Sequence, residues 1–380
     1  MAERTFFGRL RGRLTGSGGA APRRPLPESW AGRARDAQAT LLRAFAVSGS
    51  ELLRERAPAL PTDRRYAYLW PFGQALAASL DLALLTHDEA ALRQARSFGT
   101  AFFAHYWDDD DPAAGGVSYP LPEGGDTFYD DNLWIGLAVC DLYRATGEPQ
   151  WLDGAARIFA FVSTAWDDDP RHPHPGGIFW AQRRANPTGD RNTVSNAPAA
   201  QLALRLHAAT GERRYLDWAR RTFDWTERTL RDPADGLYWD HVKLDGRIER
   251  TKWSYNQGTM LGAAALLGEA LVEGTPSARE RARAIADAAL ARYADGDALW
   301  TQDPAFNAIF FHNLYLLGDL TGDHAFYRPA LAAYAARAWA GRDGRSGLIG
   351  FGRGARVELL TQAAAVRLFA TLAASERERL

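Results

Sequence analysis

Apolar runs of helical length recur along this chain, each closed by a short polar phrase and followed by a stretch of mixed apolar and polar positions. Leu142-Tyr143-Arg144-Ala145-Thr146-Gly147-Glu148 leads into Trp151-Leu152-Asp153-Gly154-Ala155. Leu206-His207-Ala208-Ala209-Thr210-Gly211-Glu212 leads into Tyr215-Leu216-Asp217-Trp218-Ala219. Glycine after an apolar helix takes the left-handed conformation that closes it. The acidic residue that follows suits the positive end of the next helix. From Trp218 to Trp225 apolar positions recur at three and four, the period of a helix with one buried face. Each unit therefore reads as a helix, a tight turn and a second helix.

The phrase has a period. Gly147 and Gly211 lie 64 positions apart, and Gly274 follows 63 later within Val272-Glu273-Gly274-Thr275. Leu317-Gly318-Asp319-Leu320-Thr321-Gly322-Asp323 repeats it, with Phe326-Tyr327 in the aromatic slot. Leu84-Leu85-Thr86-His87-Asp88-Glu89 is a degenerate copy upstream. Repeats of this length are stacked helical hairpins. Six of them fill the 380 residues, which predicts an all-α fold, an (α/α)6 barrel whose inner helices line a funnel. An open solenoid is the rival arrangement. The long aromatic segments from Trp107 to Tyr119 and from Trp166 to Trp180 favour the barrel, because they read as walls of a cleft.

The same offset before each glycine carries the same side chain. Asn132, Asn196 and Asn307 each stand 15 positions before Gly147, Gly211 and Gly322. This places them near the start of an inner helix, where Asn caps well and could equally line the cleft. A further inner helix is expected to begin within Lys252-Trp253-Ser254-Tyr255-Asn256-Gln257-Gly258-Thr259, and the first around Tyr66 to Phe72.

Composition removes several function classes. With 45 basic and 46 acidic residues, the net charge of -1 offers no field for nucleic acid. No apolar run reaches the length of a membrane span. The single cysteine, Cys140, cannot form an intrachain disulfide and reads as a small buried hydrophobe. His172 and His174 sit in a proline-rich loop and make a weak case for metal. The acidic runs Asp108 to Asp111 and Asp167 to Asp169 read as solvated or ion-binding loops lacking the EF-hand pattern. Residues 1–27 carry six arginines among Gly and Ser, with no apolar core of a secretory signal. They are expected to form a disordered tail ahead of one catalytic domain from 28 to 380, in a cytoplasmic monomer.

Within Phe128-Tyr129-Asp130-Asp131-Asn132-Leu133-Trp134 two adjacent carboxylates stand in an aromatic frame at a helix start. Like charges this close resist joint ionisation, so one pKa should rise. An acid beside a carboxylate equips a retaining glycosidase, provided both face the funnel; the first is expected just outside the helix. The bland alternative is a cap followed by a solvated first-turn residue.

These residues carry a resemblance. Tyr129-Asp130-Asp131-Asn132-Leu133-Trp134, Gly176-Gly177-Ile178-Phe179-Trp180, Asn192 to Pro198, Gly236-Leu237-Tyr238-Trp239-Asp240 and Trp253 to Gly258 together resemble glycoside hydrolase family 76 over roughly residues 60 to 370. The resemblance implies a retaining endo-α-1,6-mannanase that needs neither cofactor nor metal and acts on mannan or manno-oligosaccharides. It matches Asp130 to the nucleophile and Asp131 to the general acid/base, with sugar contacts at Tyr129, Trp134, Trp180, Asn196, Asp240, Tyr255, Asn256 and Gln257. Family members usually act outside the cytoplasm, which this arginine-rich start does not match. Two rival activities remain: transglycosylation onto a sugar acceptor, which shares the first half-reaction, and an (α/α)6 sugar epimerase. The epimerase depends on paired histidines, and only His312 and His241 are candidates for the rim.

Overall fold

The computed structural model describes residues 29–111, 113, 115–270 and 276–377. The arginine-rich tail and the repeat copy at Gly274 lie outside the described residues. Six inner helices are found among them: α2 (Leu69–Thr86), α4 (Tyr129–Thr146), α6 (Thr193–Thr210), α8 (Ser254–Ala270), α11 (Pro304–Thr321) and α13 (Leu359–Arg377). The outer helices are α1 (Trp30–Phe45), α3 (Glu89–His105), α5 (Pro149–Ser163), α7 (Arg213–Leu230), α9 (Pro276–Tyr293) and α12 (Arg328–Ala340), with a short α10 (Ala298–Thr301). Each inner helix packs on the next, and α13 packs on α2, so the ring closes. The (α/α)6 barrel is thus the observed fold. Its sixth hairpin joins the two ends of the sequence, because α1 packs outside α13.

Sequence dictates which helices lie inside. In α6 every residue from Thr193 to Leu206 is buried, and the apolar and small side chains run all round it. Helix α7 buries Tyr215, Ala219, Phe223 and Trp225 on one stripe and turns Arg213, Arg220 and Arg228 outward, the pattern of a surface helix. Gly258 shows why small residues populate the inner ring: a Cβ there would meet the Phe310 backbone at 2.7 Å, so α8 and α11 could not approach as they do.

The seams behave as the repeat predicts. Gly147, Gly211 and Gly322 end their helices with φ of 74°, 74° and 73°, and His87 takes the same conformation at the degenerate copy. Asp88 then caps α3 by accepting the Ala91 N–H at 3.0 Å. Glu148 occupies the equivalent position before α5 without making a cap bond, and instead accepts the Trp151 indole N–H at 2.7 Å.

The recurring Asn has a different role from the two expected of it. Asn132 is 0% exposed; its Oδ1 accepts from the Gly116 N–H at 2.8 Å, and its Nδ2 donates to the Gly116 carbonyl at 2.8 Å. Asn196 holds both backbone groups of Ile178 in the same way, at 2.8 and 3.3 Å. Gln257 does so with Tyr238, at 2.8 and 2.9 Å. Gln362 bonds the Ile349 N–H at 2.9 Å and reaches the Ala37 carbonyl with its amide. Each carboxamide thus fastens one rim loop to the next inner helix. The loops differ in sequence, yet Trp107 with Gly116, Trp166 with Ile178, Arg231 with Tyr238 and Arg342 with Ile349 form the same antiparallel bridge.

Candidate active site

The amino ends of the inner helices meet on one face of the ring, around a cleft of about 460 Å³. Helix α2 contributes Trp70, α4 contributes Asp130, Asp131 and Trp134, α8 contributes Tyr255, and α11 contributes Phe306. Loops add Phe128, Trp180, Asp190, Asn192, Asp240 and His241. Asn192 and His241 stand side by side because, after β1 (Arg56–Ala57), strand β2 (Arg191–Asn192) pairs antiparallel with β3 (His241–Val242), which pairs in turn with β4 (Ile248–Glu249). Beneath this sheet Arg191 and Asp167 form an ion pair at 2.7 Å, both almost fully buried. Arg191 also donates to the carbonyls of Pro173, His174, Gly176 and Lys243. Asp167 is therefore no solvated loop residue. Gly176 and Gly177 have φ of 103° and 86°, and a Cβ on either would strike the Trp225 ring. Asp109 to Asp111 do lie exposed.

Asp130 and Asp131 both fall within the first turn of α4, after Phe128 at the cap position. Asp130 is therefore inside the helix rather than just before it. Its two oxygens are each occupied: Oδ2 accepts the Trp180 indole N–H at 3.1 Å, and Oδ1 accepts the Asp131 backbone N–H at 3.0 Å. Burial pushes the Asp130 carboxyl up, the Asp240 charge adds to this, and those two hydrogen bonds pull against both. Asp131 is pushed well above the usual carboxylate range by burial and then by the charge of Asp130. The two neighbours thus differ in kind. Two donors favour the anionic form of Asp130, so it is the easier of the two to ionise. Burial, with the charges of Asp240, Asp130 and Asp131, also holds the Tyr255 hydroxyl well above its ordinary value, so it remains an O–H donor.

Aromatic faces wall the carboxylates. Trp70 and Trp134 meet with centroids 5.5 Å apart, and Tyr255 stacks flat on Phe306 at 3.9 Å. Of the residues expected in the site, Asp130, Asp131, Trp134, Trp180, Asp240 and Tyr255 are brought together here. Asn256 is buried behind them, with Nδ2 donating to Asp240 Oδ1 at 3.1 Å, so it orients a cleft residue from beneath. Asn196 and Gln257 spend their amides on backbone as described and do not line the cleft, and Tyr129 packs its ring on Phe161, centroids 5.3 Å apart, away from it. Sequence reading missed Trp70, Phe128, Asp190, Asn192 and Phe306 as contacts. The repeat held a signal for one of them: Phe306 directly precedes Asn307 as Asp131 precedes Asn132. His312 lies in the barrel interior, 3.2 Å from Asp81, not on the rim.

A closed ring of helical hairpins with adjacent carboxylates in an aromatic cleft defines a class of sugar-active enzyme. The profile of glycosyl hydrolase family 76 matches residues 29–377, and the chain belongs to that family. It is 32% identical over 160 residues to a mannan endo-1,6-α-mannosidase of Candida glabrata, an alignment covering 39% of this chain and 35% of that protein. The chain thus spans about a third of the length of the curated relatives it matches. A family 76 mannosidase of Bacteroides thetaiotaomicron superposes with a TM-score of 0.81 at 25% identity, covering 92% of this chain and 100% of that one. The α-1,6-mannanase of a Salegentibacter species, in an inactive variant substituted at two consecutive aspartates and bound to α-1,6-mannotriose, shares the fold with a TM-score of 0.73 at 22% identity over 91% and 99% of the two chains.

Proposed function

We propose that this protein is a retaining glycosidase that cleaves α-1,6-mannosidic linkages within mannan chains. The observation that carries this reading is the inequality of two adjacent carboxylates on the cleft floor. Retaining hydrolysis needs one carboxylate as nucleophile and one proton-bearing carboxyl close beside it. Asp130, stabilised as an anion by Trp180 and the Asp131 backbone N–H, attacks the anomeric carbon. Asp131, still protonated, gives its proton to the departing oxygen. The covalent mannosyl ester on Asp130 is then hydrolysed by water, from which Asp131 takes a proton. Trp70, Trp134, Trp180, Tyr255 and Phe306 offer faces for sugar rings. Asp190, Asn192 and Asp240 offer acceptors and a donor for hydroxyl groups. The linkage comes from the relatives, which are named for endo-1,6-α-mannosidase activity.

The test is incubation with linear α-1,6-mannan followed by NMR of the new reducing ends. Release of the α-anomer before mutarotation is the expected result. Initial β-anomer would remove the retaining mechanism. Absence of cleavage by the folded protein, with transfer to added manno-oligosaccharide instead, would establish a transglycosylase.

A further inference from the structure

His241 lies in the cleft between two carboxylates. Its Nδ1 is 2.9 Å from Asp240 Oδ2 and its Nε2 is 3.4 Å from Asp190 Oδ2, with all three side chains 13–15% exposed. The far oxygens of both acids are fixed from behind. Asn256 donates to Asp240 Oδ1 at 3.1 Å, and Thr188 Oγ1 donates to Asp190 Oδ1 at 2.6 Å. A neutral imidazole with its N–H on Nδ1 serves Asp240 alone; protonation sets a charged N–H within ion-pair reach of Asp190, to which Nε2 makes no hydrogen bond. The charged groups around the ring are Asp190 on the loop before β2, Asp240 beside it on the chain, Lys243 two positions on, and Glu249 opposite it on β4. Burial pulls the imidazole down, yet Asp240 and Asp190 together outweigh this and raise it. Asp240 is also the carboxylate whose charge reaches the floor of the cleft, at Asp130.

We propose that His241, as an imidazolium bridging Asp190 and Asp240, is a positioning residue that holds the Asp240 carboxylate in the cleft and screens its charge from Asp130. The proposal rests on Asp130 being the nucleophile of the mannanase reading. Nothing in the bridge touches the reacting atoms. Its action is electrostatic, through the ionisation of Asp130, and it divides the pH dependence of the enzyme between two groups. Asp131 sets the alkaline limb of kcat/KM. The acidic limb belongs to Asp130 as tuned by the Asp190–His241–Asp240 bridge.

The first measurement is kcat/KM against pH for the wild type and for His241→Gln, which retains one donor but no charge. Exposing Asp130 to the full Asp240 charge is expected to move the acidic limb up by roughly half a unit or more, with the alkaline limb in place. A role confined to packing would lower the whole profile evenly, and an unmoved acidic limb overturns the proposal. A second measurement needs no substrate. NMR titration of the histidine rings of the full chain, with His241 assigned from the His241→Gln spectrum, is expected to place its midpoint above the ordinary value of about 6.5 and to lower it in Asp190→Asn. A wild-type midpoint at or below the ordinary value, or no change in Asp190→Asn, overturns the bridge. Mannan cleavage by the wild type is a separate outcome. If it is absent while the titration behaves as stated, the mannanase reading fails and the charge bridge stands.

Discussion

The barrel holds two sets of aspartates withdrawn from solvent, and they behave in opposite ways. Around a smaller pocket of about 40 Å³ that shares Trp134 with the cleft, Asp81 pairs with Arg367 at 2.7 Å and with His312. Asp141 pairs there with Arg205 and, at 2.6 Å, with Arg144. Burial pushes Asp81 up, but Arg367 and His312 overcome it and hold the carboxyl down at about 2. Asp141 is likewise held low, with burial outweighed by Arg205 and Arg144. On the cleft floor Asp130 and Asp131 are both desolvated, Asp131 feels the charge of Asp130, and both rise. Burial therefore does not separate a structural acid from a reactive one in this fold. The partner does: a guanidinium fixes the charge, whereas an indole, a backbone N–H and a second carboxylate leave it able to change.

The contrast can be broken most sharply at the cleft. Asp130→Asn and Asp131→Asn are each expected to lower mannan cleavage by at least about a thousandfold and to leave the thermal midpoint unchanged or raised, since each removes a carboxyl that is costly to ionise where it sits. Retention of more than a tenth of the activity would refute the role given to that residue. The reverse result is expected inside the barrel. Arg367→Met leaves Asp81 with His312 as its one remaining ion partner and should cost roughly 3–5 kcal/mol, read by denaturant unfolding, and Arg367→Met with Asp81→Asn should recover much of that loss.

Trp180→Phe sharpens the comparison by keeping an aromatic face while removing one donor to Asp130. A hydrogen bond to a charged group is worth roughly 1.5–3 kcal/mol, so kcat/KM should fall ten- to a hundredfold and its acidic limb should move up. A smaller effect is expected in stability against pH. Asp81 and Asp141 have lowered values, so their contribution is complete above about pH 4 and is lost as pH falls through their folded values. Asp130 and Asp131 have raised values, so they favour the fold most at low pH and progressively less as pH rises through those values. Thermal melts of Asp81→Asn should accordingly lose less stability than the wild type on acidification from about pH 4.

Much of the architecture was legible because it is periodic. The glycine seams, the inner helix starts and the Asp130–Asp131 pair all follow from spacing and local chemistry. What spacing does not report is direction. Asn196 and Gln257 stand at the right level of the barrel, but their amides turn into the wall and close on loop backbone. Asp190, Asn192 and His241 come from loops whose positions are set by β2 pairing with β3, a contact between segments some fifty residues apart. Asp167 looked like a loop charge because its partner Arg191 is distant in sequence. Arg205 and Arg367 sit in helices whose apolar pattern gives no hint of ions in the interior.

The carboxamide clamps also bear on how such a protein can change. Four rim loops are held by main-chain hydrogen bonds to one amide each, at Gly116, Ile178, Tyr238 and Ile349, and a bond to main chain constrains few of the side chains around it, Gly116 excepted, where a Cβ would meet Asn132 Oδ1 at 2.7 Å. The ring can thus accept new loop sequences as exchangeable inserts, altering which glycan it grips while the barrel beneath keeps its shape.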